Sequence, residues 1–159
     1  MKKYLAAICL ATAGITLAAC SGTADTQKTA EDANPTGLEI TNARLLLPPV
    51  KGNPAAIYFT VKNTGKRNVA IRSASVKDAK SAQLHDMMEY DFKQTMGEMP
   101  PLMLQPGASV DFKPGGKHVM VYDLSPTIKV GDSTEMTLTI AGGDSITTKV
   151  PVMAADTDR

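Results

Sequence analysis

Thiols are scarce in this sequence and confined to one end of it: the 2 cysteines in 159 residues are Cys9 and Cys20. A domain built from the residues beyond them has no disulfide framework and no thiolate with which to hold a metal ion. Histidine is equally rare, with 2 in the chain, His85 and His118. No Ser-His-Asp or Cys-His arrangement is readable around them, so the sequence does not read as an enzyme. There is no glycine-rich phosphate loop, no internal repeat, and no segment with a 3.6-residue apolar stripe over three turns. Charge of one sign is missing too, since 17 basic residues stand against 16 acidic ones. A near-neutral chain offers no field for nucleic acid.

What is present begins with an export signal. Lys2 and Lys3 form a basic start, an apolar stretch runs from Tyr4 to about Leu17, and small residues follow. The stretch is shorter than the roughly 20 residues that cross a bilayer. "LAAC", Leu17 to Cys20, resembles the bacterial lipobox, in which the signal is cut before a cysteine that then carries lipid. This divides the chain into a lipoprotein signal peptide (1–19) and a remainder anchored to a membrane through lipid on Cys20. Without Lys2 and Lys3 the remainder has 15 basic against 16 acidic residues, a formal charge of −1. Ser21 follows the cysteine in place of an aspartate, which by the usual bacterial sorting pattern favours the outer membrane. The expected location is the periplasm or cell envelope.

Residues 20–37 comprise the lipidated cysteine and "SGTADTQKTAEDANPTG", which has no large apolar residue and is expected to be a flexible tether with a reach of roughly 20 to 25 Å. From 38 to 153 the composition changes to short alternating runs, and a polar tail (154–159) ends the chain. Strands are expected over 38–47, 55–63, 68–76, 81–88, 109–114, 117–124, 134–141 and 145–152, separated by "NTGKRN", "QPGA", "PGGK", "VGDS" and "AGGD". Short alternating runs punctuated in this way predict one all-β sandwich or barrel. At about 115 residues it is large enough to bury a core without disulfides.

The chemistry worth attention is the pairing of histidine with methionine. In a strand, residues i and i+2 share a face, so His118 projects with Met120, and His85 and Met87 have the same spacing. Imidazole nitrogen and thioether sulfur are neutral donors, and thioethers select Cu(I) among biological metals. They also withstand an oxidising compartment better than free thiolates do. A blue-copper electron-transfer centre needs a cysteine thiolate, which this domain lacks. Methionine is equally a filler of cores, and Met136 and Met153 are read that way. Met88, Met99 and Met103 fit either role, and "MPPLMLQPG" fits a loop closing an apolar lid over the sandwich. Asp86, Glu89 and Asp91 read as a solvated strand end and loop.

The full spacing is His85, ten residues, Met96, twenty-one residues, His118, one residue, Met120. It resembles the signature of the periplasmic copper chaperones called the PCu(A)C family. "FKPGGKHVMVYDL" is similar to the Pro-Gly-Gly turn and His-x-Met strand of that family, and "NARLLLPPVKGNPAAIYFTVKNTG" to its first strands. The resemblance covers roughly 38–152 and implies a cupredoxin-like Greek-key β-sandwich. It also implies one Cu(I) per chain, held by His85, Met96, His118 and Met120. In relatives a methionine may follow the first histidine directly. Here that position is Asp86, with Met87 one residue later as a possible additional ligand. The chain ends "AADTDR" and has no second donor-rich tail, so one site is expected.

The function so implied is delivery of Cu(I) outside the cytoplasm to a copper-accepting protein, a cytochrome oxidase subunit or its assembly factor. A lipoprotein that only buffers or sequesters copper for tolerance, and a metal-free structural sandwich, are the competing readings.

Overall fold

The computed structural model describes residues 34–90 and 92–155. The signal peptide, Cys20, the tether before Asn34, Asp91 and the last four residues lie outside the described residues. Ten strands are present: β1 (Leu38–Leu47), β2 (Ala55–Asn63), β3 (Val69–Val76), β4 (Ala79–Tyr90), β5 (Lys93–Glu98), β6 (Leu102–Leu104), β7 (Ser109–Phe112), β8 (His118–Leu124), β9 (Ser133–Ile140) and β10 (Ser145–Ala154). No α-helix occurs among the described residues.

Alternation creates the layers. In β2 the residues Ala55, Ile57, Phe59 and Val61 are all buried, while those between them are not. In β9 the same holds for Met136, Leu138 and Ile140. Each strand therefore offers one apolar face, and the two faces meet in a single core that joins Leu84, Val119 and Phe59 to Ile71, Leu138 and Val150. Phe59 and Phe112 stack across β2 and β7, with ring centroids 4.2 Å apart. Strand order is β5-β4-β8-β2-β1-β10-β9-β3-β6. β10 joins the two layers, because its end runs parallel to β1 while its body pairs antiparallel with β9. The chain crosses between layers from β2 to β3, from β3 to β4, from β5 to β6, from β6 to β7 and from β8 to β9, and β4 lies beside β8 with β5 to β7 intervening in sequence. This is an all-β Greek-key sandwich of cupredoxin-like form.

Three local features modify this plan. β7 and β8 lie along the same edge of β2, β7 against Phe59 to Lys62 and β8 against Ala55 to Ile57. They are one course interrupted at "KPGGK", where Lys113 N–H donates to Lys117 O at 2.8 Å and Gly115 takes φ +74°. The second feature is the β4–β5 hairpin, which forms the edge of its layer. The third is β6, found where a lid-like loop was expected. Leu102 to Leu104 pair with β3, Leu104 is buried and Met103 faces out at 61% exposure. Two prolines before a three-residue strand concealed it.

At the start of the described chain, Asn34 to Gly37 are tied into the domain although the composition placed them in the tether. Thr36 is buried and its hydroxyl accepts from Leu38 N–H at 3.1 Å, while Gly37 O accepts from Thr64 N–H at 2.8 Å.

Candidate metal site

β4 and β8 are antiparallel neighbours, and their register sets His85 directly opposite His118. Leu84 and Val119, next to them, point into the core. By alternation both imidazoles project from the other face, the outer face of the β5-β4-β8-β2 layer. They are nonetheless buried, at 8% and 7% exposure. Aromatic and thioether side chains cover them: Tyr58 stands 6.3 Å from the His118 ring, Tyr122 stands 6.5 Å from the His85 ring, and the two imidazoles are 5.8 Å apart. The Arg44 guanidinium lies over the far side of this cover, 5.4 Å from the Tyr58 ring centre.

Met96 completes the cluster from the hairpin. It pairs with Met87 across β4 and β5, and its side chain crosses β4 so that Sδ lies 3.1 Å from His118 Nε2. The hydrogen bonding of the ring decides what this contact is. His118 Nδ1 lies 2.8 Å from Gly116 O, and since a carbonyl only accepts, Nδ1 carries the proton. In the neutral ring Nε2 then bears a lone pair, and so does the thioether. The two lone pairs therefore face one another across 3.1 Å, an arrangement that a soft cation bound between them would satisfy.

His85 supplies a second imidazole beside this contact, its ring centre 5.8 Å from that of His118. Its Nε2 lies 3.3 Å from Gln83 Oε1, the weak bond of a donor N–H, while Nδ1 is buried with no hydrogen-bond partner among the described residues. A buried nitrogen left without a partner costs about 1 to 3 kcal/mol. A metal ion would satisfy it. Burial, with the neighbouring His118 charge second, pushes the His85 imidazole below its ordinary value, and Glu98 only partly opposes this. The ring is therefore held in the neutral form that ligates.

Met120 follows His118 on the same face of β8 and pairs with Gln83. It is half-buried and lines a groove of about 520 Å³ together with Tyr58, Ala56, Pro114 and Leu46. Met87, half-buried, shares the face of His85 on β4. The structure thus puts His85, Met96, His118 and Met120 on one face, with the Met96 and His118 donor atoms in direct contact. Met136 is fully buried in the core and Met153 half-buried, whereas Met88 is exposed at 45% on the opposite face of β4. Among the described residues no three His, Cys, Asp or Glu side chains converge, and the carboxylate set opposite His85 is that of Glu98 on β5. A larger cleft of about 940 Å³, lined by Asn63, Arg67 and Ile140, includes none of these donors.

Sequence reasoning missed what fixes the histidines. Asp86, read as part of a solvated cluster, is one residue past His85 and pairs with Lys117, one residue before His118, at 2.6 Å. Its other oxygen accepts from Met87 N–H at 2.9 Å. The ion pair lies behind the two imidazoles and ties β4 to the Pro-Gly-Gly turn whose Gly116 carbonyl orients His118. Only the register brings these groups together, and no local sequence pattern encodes it. Glu89 is exposed, as expected for a solvated strand end.

Comparison with known proteins identifies the family and the fold. The family described as "Putative lipoprotein LpqE-like" matches residues 38–152. Among curated proteins, "Putative lipoprotein Lxx21020" of Leifsonia xyli subsp. xyli is 30% identical over 98 residues, 61% of this chain and 59% of its own length. An uncharacterized protein of Rickettsia prowazekii, RP573, is 27% identical over 88 residues, 55% of this chain and 49% of its own. The chain thus spans about half to three-fifths of the length of these relatives. Among solved structures, the copper-bound PCuAC domain from PmoF2 superposes with a TM-score of 0.60 at 26% identity, covering 74% of this chain and 93% of that domain. Cu(I)-bound DR1885 from Deinococcus radiodurans gives 0.61 at 24% identity over 91% and 98%, a likeness of fold. The chain belongs to the LpqE-like family and has the fold of a PCuAC domain.

Proposed function

We propose that this protein is an extracytoplasmic Cu(I) carrier, not a catalyst, that binds one ion per chain through His85, Met96, His118 and Met120 and passes it to another protein. The observation that carries this reading is the contact of the Met96 sulfur with His118 Nε2 at 3.1 Å, with the ring proton committed to Gly116 O. Two imidazoles and two thioethers form a neutral, soft set. Such a set suits the cuprous ion and suits Cu(II) poorly, since Cu(II) prefers nitrogen and oxygen in tetragonal arrays. Neutral donors also hold the ion less tightly than thiolates would, which favours release. Met87, beside Met96 on the same face, is the remaining thioether within the cluster.

Lipid on Cys20 would keep this carrier at a membrane facing the cell envelope, with the outer membrane favoured by Ser21, and residues 21–33 would serve as its tether. The lipoprotein names of the family support that placement. The recipient is a copper-accepting protein, and the resemblance to PCu(A)C chaperones directs the proposal to a cytochrome oxidase subunit or its assembly factor.

Competition titration against a Cu(I) chelator under reducing conditions tests the binding claim. Wild type should retain one Cu(I). Met96→Ala and Met120→Ala should each weaken retention without changing its pH dependence much, while His85→Ala and His118→Ala should weaken it and flatten that dependence, because only imidazole exchanges a proton for the metal in this range. Undiminished retention after removal of both Met96 and Met120 would exclude this site. Oxidase activity lost on deletion and restored by copper feeding would assign delivery, and its retention would assign buffering.

A further inference from the structure

The four proposed donors are not equivalent. His85 and His118 are buried at 8% and 7% exposure, Met120 is half-buried, and Met96 is 46% exposed. Their strands differ in the same order. β4 is paired on both sides, to β5 and β8, and β8 is paired to β4 and β2. β5 is paired to β4 alone and forms the edge of the layer. The hairpin is also where exposed apolar side chains gather, since Met88 is 45% exposed and Phe92, at its tip, 95%. Phe92 adopts φ +57°, a conformation costly for a bulky residue. Withdrawing the Met96 sulfur requires only rotation about its three side-chain torsions, with no ladder hydrogen bond broken. Withdrawing either histidine requires uncovering a ring beneath Tyr58 or Tyr122 and, for His118, giving up the bond to Gly116 O.

Resting on the copper reading, we infer that Met96 is the ligand that leaves first, and that the acceptor's donor enters over β5 in its place. The step is a ligand exchange without electron transfer. The bond from Cu(I) to the Met96 thioether breaks, a bond from Cu(I) to a soft sulfur donor of the acceptor forms, and the freed thioether returns to solvent at the hairpin. His85, His118 and Met120 hold the ion until the incoming donor is in place. Met96 thereby acts as a gate, and the other three donors form the platform.

The rate law distinguishes this from simple dissociation. Full-length protein loaded with one Cu(I) is mixed in a stopped-flow instrument with increasing bathocuproine disulfonate, and formation of the coloured Cu(I) complex is followed. If Met96 must leave first, the wild-type rate levels off at high chelator, limited by opening. Met96→Ala should lose the plateau, its rate rising in proportion to chelator and exceeding the wild-type plateau by about tenfold or more. Met120→Ala should bind Cu(I) more weakly yet keep a plateau, because its gate is intact. A wild-type rate that never levels off, a plateau that survives in Met96→Ala, or one lost in Met120→Ala instead would overturn the inference while leaving copper binding in place. Wild-type protein that retains no Cu(I) before mixing would remove the copper reading and this inference with it. Met96→Ala changes an exposed side chain, and circular dichroism of the variant checks that its fold is unaltered.

Discussion

Replacing Met136 and Met96 by alanine, one at a time, separates the two uses of methionine in this chain. Met136 has 0% exposure and sits on β9, with Val76 of β3 on one side and Thr148 of β10 on the other. Truncation removes three heavy atoms, which at about 0.8 kcal/mol per buried methylene-sized group is roughly 2.5 kcal/mol of transfer energy. Both neighbouring strands are hydrogen-bonded to β9, so the space collapses only in part, and a residual void adds up to about 1 kcal/mol. The expected cost is about 3 kcal/mol, or a fall of roughly 10 to 20 °C in Tm for a domain of this size. Met96, 46% exposed on an edge strand, leaves no enclosed void, and its loss should cost about 1 kcal/mol or less. Copper should reverse the order. Met96→Ala should lower Cu(I) affinity about tenfold or more, a change worth about 1.4 kcal/mol, while Met136→Ala should leave it within about twofold. Thermal unfolding of metal-free protein and Cu(I) competition titration supply the four numbers. If Met136→Ala weakens copper as much as Met96→Ala does, or Met96→Ala destabilises the metal-free fold as much as Met136→Ala does, the assignment of one methionine to core and the other to metal is wrong.

The pair Asp86 and Lys117 should show a coupling of about 1 kcal/mol in a double-mutant cycle of Asp86→Asn and Lys117→Met by urea unfolding, because both side chains are partly shielded, at 25% and 31% exposure. A coupling below about 0.3 kcal/mol would show that the ion pair does not fix the β4–β8 register. His85 lies below its ordinary imidazole value of 6.5 in the fold, so the unfolded chain binds its proton more readily. Its contribution to metal-free stability is complete above pH 6.5 and is lost as pH falls from there through the lowered folded value. The stability difference between wild type and His85→Gln should therefore change in favour of His85→Gln on acidification across that window, and a change of the opposite sign would contradict the burial argument. Cys20→Ser should convert a membrane-bound protein into one that is soluble or keeps its signal. Wild-type protein recovered wholly in the soluble exported fraction would remove the lipid anchor.

Eight of the ten strands among the described residues were legible from short apolar-polar runs bounded by turn signals, most directly where a half-buried strand writes its two faces into the sequence: β2 reads inward at Ala55, Ile57, Phe59 and Val61 with no exception. β5 and β6 were not legible. β5, "KQTMGE", is an edge strand with almost nothing buried, so it has no apolar face to alternate. β6 is three residues long and follows Pro100 and Pro101. For the site, the same-face placement of His118 and Met120 follows from spacing within one strand, and the placement of Met96 came from the family resemblance. What no spacing predicts is cross-strand register, and register is what sets His85 opposite His118 and Asp86 against Lys117. A one-residue slip would have turned the histidines into the core.

That register also keeps the proposed binding face apart from the core. The same strands serve both, but with opposite faces: Leu84, Val119 and Val121 face the core, while His85, His118 and Met120 face outward. The proposed donors are neutral, so arranging them beside one another without an ion carries no large electrostatic penalty, whereas a cluster of thiolates or carboxylates would repel itself in the absence of metal. Among the described residues the His85 nitrogen without a partner is a cost of a few kcal/mol at most in the ion-free state, against a core of twenty buried apolar residues on the opposite face. Copper bound at the proposed site should then add only the stability that mass action gives to a ligand of the native state. A carrier has to be folded both when loaded and when empty, and separating the two functions across the plane of one sheet meets that requirement.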